Sequence, residues 1–598
     1  MFQTFDGTTR PDQGPPRLAA LRAEMAGTGL AGFLVPRADW HQGEYVAPCD
    51  ERLAWLTGFT GSAGFCAVLA DRAGVFVDGR YRVQVKAQVD TGAFTPVNWP
   101  ETKLGTWLRD ALPGGGRVGF DPWLHTTAEI EDLEEVLEGS GVTLVPSANL
   151  VDRIWADRPA RPAAPVVAYP KALAGEGDET RRKRIAEMLK DAGQRAAVLT
   201  LPDSICWMLN IRGGDIARIP VTQAFGILHD DGALQLFSDP AKFAALGPDP
   251  AITLAGWDAF EAALAALAGP VRVDRDSAPA AVGRALEAAG VAIVWDADPC
   301  ILPKARKTAA ELAATTEAHL RDGAAVAEFL SALERDLPAG GLTEIDMVRR
   351  LEEARRATNV LKDISFDTIA GSGPHGAIVH YRVTEDTNRE IREGDLLLID
   401  SGGQYEDGTT DITRTLAVGT PGEDERRAFT LVLKGMIAIS RARWPVGLTG
   451  RDLDALARVA LWQAGMDYDH GTGHGVGVYL SVHEGPQRLS RRSEVVLEPG
   501  MILSNEPGYY REGAFGIRIE NLVVVEEAPA LPGGDDRPML QVRTLTFAPI
   551  DRRLIVTELL DPAEVAWLDA YHAEVRERLS PRLTGAALDW LAEATRPL

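Results

Sequence analysis

Asp400 closes the apolar run LLLID, where a carboxylate is costly to bury without a partner. Asp411 stands eleven residues on and opens DITRTLAV, so a hairpin joining the two runs would turn both carboxylates to one face. An aspartate at a strand end is ordinarily a turn former or a cap, and neither acid stands out alone. Further along, DHGTGHGVGVYLSVHEGP carries His470, His474 and His483 within fourteen residues, in a chain with only ten histidines. Glycine takes every second position from Gly471 to Gly477, and a backbone without side chains can approach a ligand closely. Glu506 ends the apolar run of MILSNEPGYY. In FGIRIENLVVV, read as one strand, Ile517 and Ile519 alternate with Arg518 and Glu520, and the period of two puts Arg518 and Glu520 on the same face. An ion pair within an edge strand is the plainer account of those two.

Two aspartates, one histidine and two glutamates, each on or beside a strand, make a set of hard oxygen donors with a single imidazole. Such donors suit two divalent ions of the manganese, cobalt or zinc type rather than copper or an iron–sulfur cluster. Four carboxylates balance two dications and leave a neutral cage that can hold a bridging hydroxide. Ions about 3.5–4 Å apart generate that nucleophile at neutral pH and polarise a carbonyl. These residues point to a dinuclear metallohydrolase.

The elements that must position them lie in a chain of 598 residues, too long for one core and long enough for about three or four domains. RLAALRAEMAGTGL reads as a helix, AGFLVP, AGFCAVLA and GVFVD read as strands, and YRVQVKAQV begins a helix. The Pro- and Ala-rich stretch around 151–176 reads as an inter-domain linker. A second segment then repeats the plan: TRRKRIAEMLKDAG is an amphipathic helix, and SICWMLNIRG sets Trp207 and Gly213 where RLAWLTGFTG sets Trp55 and Gly61. The first half is thereby expected to be a duplicated α/β domain. From about Lys304 a long helical pattern leads into the strands that bear Asp400 and Asp411, and the last fifty residues read as short helices without candidate chemistry.

Composition is that of a folded soluble protein, 45% apolar and 25% charged. A formal net charge of −24 argues against a nucleic-acid partner, because phosphate binding needs a basic surface. Cys49, Cys66, Cys206 and Cys300 are scattered without a CxxC pair, so reduced buried thiols are expected rather than disulfides or a thiolate metal cage. MFQTFDGTTRPDQGPP lacks the apolar core of a signal peptide, and no apolar run is long enough to span a membrane. A cytoplasmic enzyme is the expectation.

DSGGQYEDGTTDITRT, GTGHGVG, SNEPGYY and GIRIEN resemble the motifs of the pita-bread metallopeptidases, the family of methionine aminopeptidase, prolidase and aminopeptidase P. EYVAPCDERLAWLTGFTGSAG, VDGRY, DSICWMLNIRGGD, HLRDGAAV, DRRLI and WLDAYHAEVRERLSP extend the resemblance over nearly the whole chain, to the long three-domain aminopeptidase P family of the cytosolic type. The fold implied is α/β and α+β. Two creatinase-like N-terminal α/β domains, 1–160 and 161–303, precede a pita-bread catalytic domain, 304–598, with a helical extension from about 551. The resemblance implies that Asp400, Asp411, His474, Glu506 and Glu520 are the metal ligands, with no departure at any of them. It also implies that His380, His470, His483 and Arg518 surround the substrate, and that Tyr510 helps wall a proline pocket. The activity implied is release of the N-terminal residue from peptides with proline second, through a metal-bridging hydroxide held by two divalent ions, manganese before cobalt or zinc. Glu506 would move the proton, and His483 or His380 would face the oxyanion. The resemblance also implies a homodimer. Prolidase is the rival within the same chemistry, set apart by the second α/β domain; a non-catalytic binding module of this fold is the rival outside it, set apart by the intact ligand set.

Overall fold

The computed structural model describes residues 1–598, which divide into two compact units, Thr8–Lys304 and a second made of Met1–Gly7 with Ala305–Leu598.

The unit Thr8–Lys304 contains two six-stranded sheets built on one plan. The first runs Thr95–Asn98, Ala73–Val77, Phe65–Leu69, Gly32–Pro36, Gly116–Phe120, Val142–Pro146. The second runs Ile252–Ala255, Leu234–Phe237, Phe225–His229, Ala196–Leu199, Val271–Val273, Ile293–Trp295. In each sheet the first strand in sequence pairs antiparallel with the next sheet strand and parallel with the strand on its other side. The remaining pairs also match in direction, antiparallel once and parallel twice. The two tryptophans that suggested a repeat lie on equivalent helices after the first strand, Arg52–Thr57 and Pro202–Leu209. The duplication expected from two short matches is therefore carried by the whole topology.

The stretch around 151–176 differs from a free linker. Leu150–Ile154 is helical, and Val167–Ala168 pairs with Ile211–Arg212. Proline and alanine density could not show that the backbone N–H and C=O groups of 167–168 find partners in a later segment. All four cysteines are buried and unpaired, and no helix is long and apolar enough to cross a membrane.

The second unit is introduced by the helix Ala309–Asp336. Thr308 caps it in a reciprocal box: its hydroxyl accepts from the Glu311 N–H, and the Glu311 carboxylate accepts from the Thr308 N–H. The same device starts Glu344–Arg356 and Gly450–Gln463. A three-stranded antiparallel sheet, Ile369–Ser372, Leu396–Ser401, Ile412–Ala417, carries the aspartates. A six-stranded sheet carries the histidine and glutamate segments, in the order Arg443–Pro445, Met539–Thr544, Asn521–Glu527, Ile502–Asn505, Gly473–Gly475, Glu484–Leu489. Helices Glu423–Ser440, Pro562–Leu579 and Gly585–Ala594 contribute Phe429, Val432, Met436, Leu568, Val575 and Leu591 to one apolar core. The N-terminal residues belong to this unit as well: the Phe2 N–H donates to Glu352, and Gln3 exchanges hydrogen bonds with the backbone of Thr368.

Candidate metal centre

Asp400 lies in the strand Leu396–Ser401, opposite Thr413 in the neighbouring strand, and Asp411 immediately precedes that neighbour. The chain between them makes a small hairpin, Gly403–Tyr405 with Gly408–Thr409, so both carboxylates arrive together. Behind the hairpin, buried Asp322 accepts from Arg355, from the Tyr405 hydroxyl and from the Thr410 hydroxyl beside Asp411. His474 is in Gly473–Gly475, and Glu506 follows the strand Ile502–Asn505. The glycine row acts here differently from the ligand approach expected. A Cβ on Gly473 would lie 1.9 Å from the Ser504 carbonyl oxygen, so glycine is what lets the His474 segment close on the strand leading to Glu506.

FGIRIENLVVV is not one strand. It breaks into Phe515–Arg518 and Asn521–Glu527, with Glu520 between them. Buried Arg414 satisfies the backbone at the break: its guanidinium donates to the Glu520 carbonyl at 2.6 Å and to the Asn521 side chain at 2.8 Å, while the Glu520 N–H donates to the Thr413 carbonyl. Arg518 and Glu520 still both enter the site, but Arg518 pairs with Asp400 at 2.6 Å rather than with Glu520.

Possible ligand atoms of three overlapping groups lie within 4.8 Å of one another: Asp411 with His474 and His483; His474 with Glu506 and Glu520; Asp400 with Asp411 and Glu520. The structure thus gathers the five residues named from sequence, with His483 at their edge, its ring 4.3 Å from that of His474. Around them, Arg518 also donates to the Tyr510 hydroxyl at 2.7 Å, and that hydroxyl is 2.9 Å from His470 Nε2. His380 follows Val379, whose carbonyl accepts from Arg518 at 3.4 Å.

The cage fits a pair of cations on its own chemistry. Asp400 Oδ1 and Glu520 Oε1 are buried without a hydrogen-bond partner, an unfavourable state for carboxylate oxygens unless a cation faces them. Burial first, then repulsion from Asp411 and Glu506, holds the Asp400 carboxyl up at about 7 despite the opposing Arg518. Burial and the three neighbouring carboxylates push Glu520 well above the usual range, and Glu506 is raised chiefly by burial. His474 Nδ1 is 2.9 Å from the Gly475 carbonyl; donation there leaves Nε2 directed at Asp411 and Glu506, each 3.4 Å away. Burial opposes a charged His474 ring, but the Asp411 hydrogen bond and the Glu506 charge prevail and raise it to about 9.

Two residues that sequence reasoning passed over bond directly to the candidate ligands. The Thr413 hydroxyl donates to Glu520 Oε2 at 2.7 Å, and the Ser504 hydroxyl donates to Glu506 Oε1 at 3.0 Å while accepting from the His474 N–H. Thr413 had a signal, two residues beyond Asp411; Ser504 had only its place two residues before Glu506.

The sequence matches metallopeptidase family M24 over residues 313–527 and the C-terminal region of that peptidase family over 538–598. Two creatinase/prolidase N-terminal domains match 17–154 and 157–311. The chain is 38% identical to aminopeptidase P2 of Arabidopsis thaliana, across 96% of this chain and 86% of that protein. It is 39% identical to a probable Xaa-Pro aminopeptidase P of Laccaria bicolor, across 97% and 93%. The X-prolyl aminopeptidase of Caenorhabditis elegans, described as a cytosolic enzyme with a di-nuclear active site, superposes with a TM-score of 0.92 at 32% identity, covering 98% of this chain and 99% of that one. Likeness of this extent, along almost the entire chain and through both units, makes it a member of the aminopeptidase P family within the M24 metallopeptidases.

Proposed function

We propose that the chain is an Xaa-Pro aminopeptidase that hydrolyses the bond between the first residue and a proline in second position. The observation that carries this reading is the likeness to Xaa-Pro aminopeptidases over both units, joined to an acidic cage with unsatisfied buried carboxylate oxygens. Asp400, Asp411, His474, Glu506 and Glu520 would hold two divalent ions, for which four carboxylates and one imidazole favour manganese over cobalt or zinc. When bound, the ions supply Lewis-acid polarisation of the scissile carbonyl and a more acidic water.

The chain's own residues do the rest. Ser504 occupies Glu506 Oε1, leaving Oε2 to take a proton from the attacking water and return it to the departing imino nitrogen. His483 or His380 donates a hydrogen bond to the developing oxyanion. Asp400 receives the substrate's α-amine, which limits cleavage to one residue. His470, Tyr510 and Arg518 form a hydrogen-bonded wall for the proline ring, whose nitrogen needs no acceptor because it carries no hydrogen.

The same proposal divides the chain at 160 and 303 into two creatinase-like domains and a catalytic domain, with a helical extension from about 551; the family matches support boundaries near these positions. It also includes a homodimer. On the helix Gly450–Gln463, Leu456, Val459 and Trp462 recur every three residues and are exposed, Trp462 by 43%. An apolar row of this kind suits a second copy of the chain. A cytoplasmic location is in keeping with the cytosolic relative. Peptides are the only partners proposed besides the second copy; the net charge of −24 speaks against nucleic acid.

The test is a panel: a tripeptide with proline second, the same tripeptide with alanine second, and the dipeptide ending in proline, each offered to metal-stripped and manganese-loaded protein. Metal-dependent cleavage of the proline tripeptide alone is expected. Preference for the dipeptide would make the chain a prolidase, and absence of turnover with any metal would make it a binding module.

A further inference from the structure

The helix Gly450–Gln463 carries a buried ion pair one turn apart, Asp454 and Arg458, with side chains only 2% and 3% exposed. An i,i+4 pair on a helix surface adds little, whereas burying both charges is costly unless every donor and acceptor is used. Here they are used, and on one segment. Arg458 has five N–H donors. Nε and one Nη2 hydrogen go to Asp454, at 2.8 and 3.2 Å. The remaining three go to the Asp467 carboxylate at 2.9 Å, the Tyr468 carbonyl at 2.8 Å and the His470 carbonyl at 2.7 Å. Asp454 Oδ1 also accepts from the Thr472 hydroxyl at 2.6 Å, and the guanidinium lies 3.8 Å over the Tyr468 ring.

The segment so held, 467–472, leads directly into the metal-binding strand. Its His470 side chain reaches Tyr510, and through Tyr510 the Arg518 that pairs with Asp400. Its Thr472 carbonyl accepts from the Glu506 N–H at 2.8 Å. A shift of 467–472 therefore moves His470 on the substrate side and Glu506 on the metal side together.

We propose that Asp454 and Arg458 are positioning residues for the peptidase reaction, fixing the His470–Thr472 backbone so that His470 and Glu506 keep their places relative to each other. The inference rests on the aminopeptidase reading. Neither residue touches substrate or metal, and a misplacement of about 1 Å by a remote change can cost about 100-fold in rate.

The test uses Arg458→Ala, Arg458→Lys and Asp454→Asn in the full chain, assayed well below their melting temperatures with the proline tripeptide, with metal content measured on the same samples. Arg458→Ala and Arg458→Lys are expected to lose about 10- to 100-fold in kcat while keeping two ions. Added guanidinium should restore at least tenfold of the loss in Arg458→Ala and none in Arg458→Lys. In metal-stripped protein the amides of 471–473 should exchange hydrogen at least tenfold faster in both variants than in the wild type. If Arg458→Ala does not fold, Asp454→Asn decides, with faster exchange and a smaller loss in kcat expected. Wild-type kcat in a folded variant, unchanged amide exchange, or a loss that follows metal content and ignores guanidinium would overturn the proposal. Failure of the wild type to cleave the tripeptide would instead overturn the aminopeptidase reading.

Discussion

In the unit Thr8–Lys304, buried Arg52 sits between Asp50 and Asp152, and Arg158 contacts the same two carboxylates, beside a cavity of about 780 Å³. Two cations answer two anions there, and no charge within that group of four is left over. In the catalytic unit, Asp400, Asp411, Glu506 and Glu520 converge, and the one guanidinium among them, Arg518, pairs with Asp400 alone. Arg52 and the acidic cage are buried while Asp152 and Arg158 stay about a quarter exposed, and the balance of charge differs as well. Closed pairing makes a structural joint, whereas an excess of like charge leaves carboxyls strongly raised and oxygens without donors. Counting which charges are already answered, rather than how many are buried, is what separates a cation site from a salt-bridge network.

The sharpest break between the two clusters is Glu506→Gln. The amide keeps the size of the side chain and can still meet the Ser504 hydroxyl, but it cannot carry the proton. We expect kcat to fall by about 10²–10⁴-fold with little change in melting temperature. Turnover like that of the wild type would remove Glu506 from the proton transfer. Arg52→Met asks the converse question. Leaving Asp50 and Asp152 with Arg158 alone should lower stability by about 3 kcal/mol, read from the first transition in urea, with kcat and metal content unchanged. A loss of metal or rate in that variant would mean that the paired cluster is not merely structural.

The smallest effect is a slope. The Asp400 carboxyl titrates near 7 in the folded chain and near 3.9 when unfolded. Between those values the folded state holds a proton that the unfolded state has released. The stability of metal-stripped protein should therefore decline as pH rises through about 4 to 7, by up to about 1.4 kcal/mol per unit for this group. His572 acts in the opposite sense: burial first, then nearby arginines, lower it to about 3, so its contribution is present above about 6.5 and is lost as pH falls. The Asp400 effect is thus read as the difference in slope between wild type and Asp400→Asn, both without metal. Equal slopes would contradict a raised Asp400.

Much of the candidate site was legible in sequence as a set rather than residue by residue: an aspartate ending LLLID passes for a turn former alone, but DSGGQYEDGTTDITRT, GTGHGVG, SNEPGYY and GIRIEN together mark it. Trp55 and Trp207 likewise marked a repeat that the strand orders complete. What stayed hidden depends on contacts between distant segments. Period two predicted a continuous strand through Glu520, but the strand breaks there and the Glu520 carbonyl accepts from Arg414, more than a hundred residues earlier. Asp454 and Arg458 look like an ordinary solvated i,i+4 pair until the Tyr468–Thr472 backbone closes over them. The return of Met1–Gly7 to the catalytic unit leaves no mark at all in MFQTFDG, because its partners, Glu352 and Thr368, are some 350 residues away.

The most direct test of the acidic cage is anomalous diffraction at the manganese edge from crystals of the manganese-loaded chain. Two peaks enclosed by Asp400, Asp411, His474, Glu506 and Glu520 are the result expected. A single peak, or peaks outside that set, would contradict the assignment of these five residues to a two-ion centre.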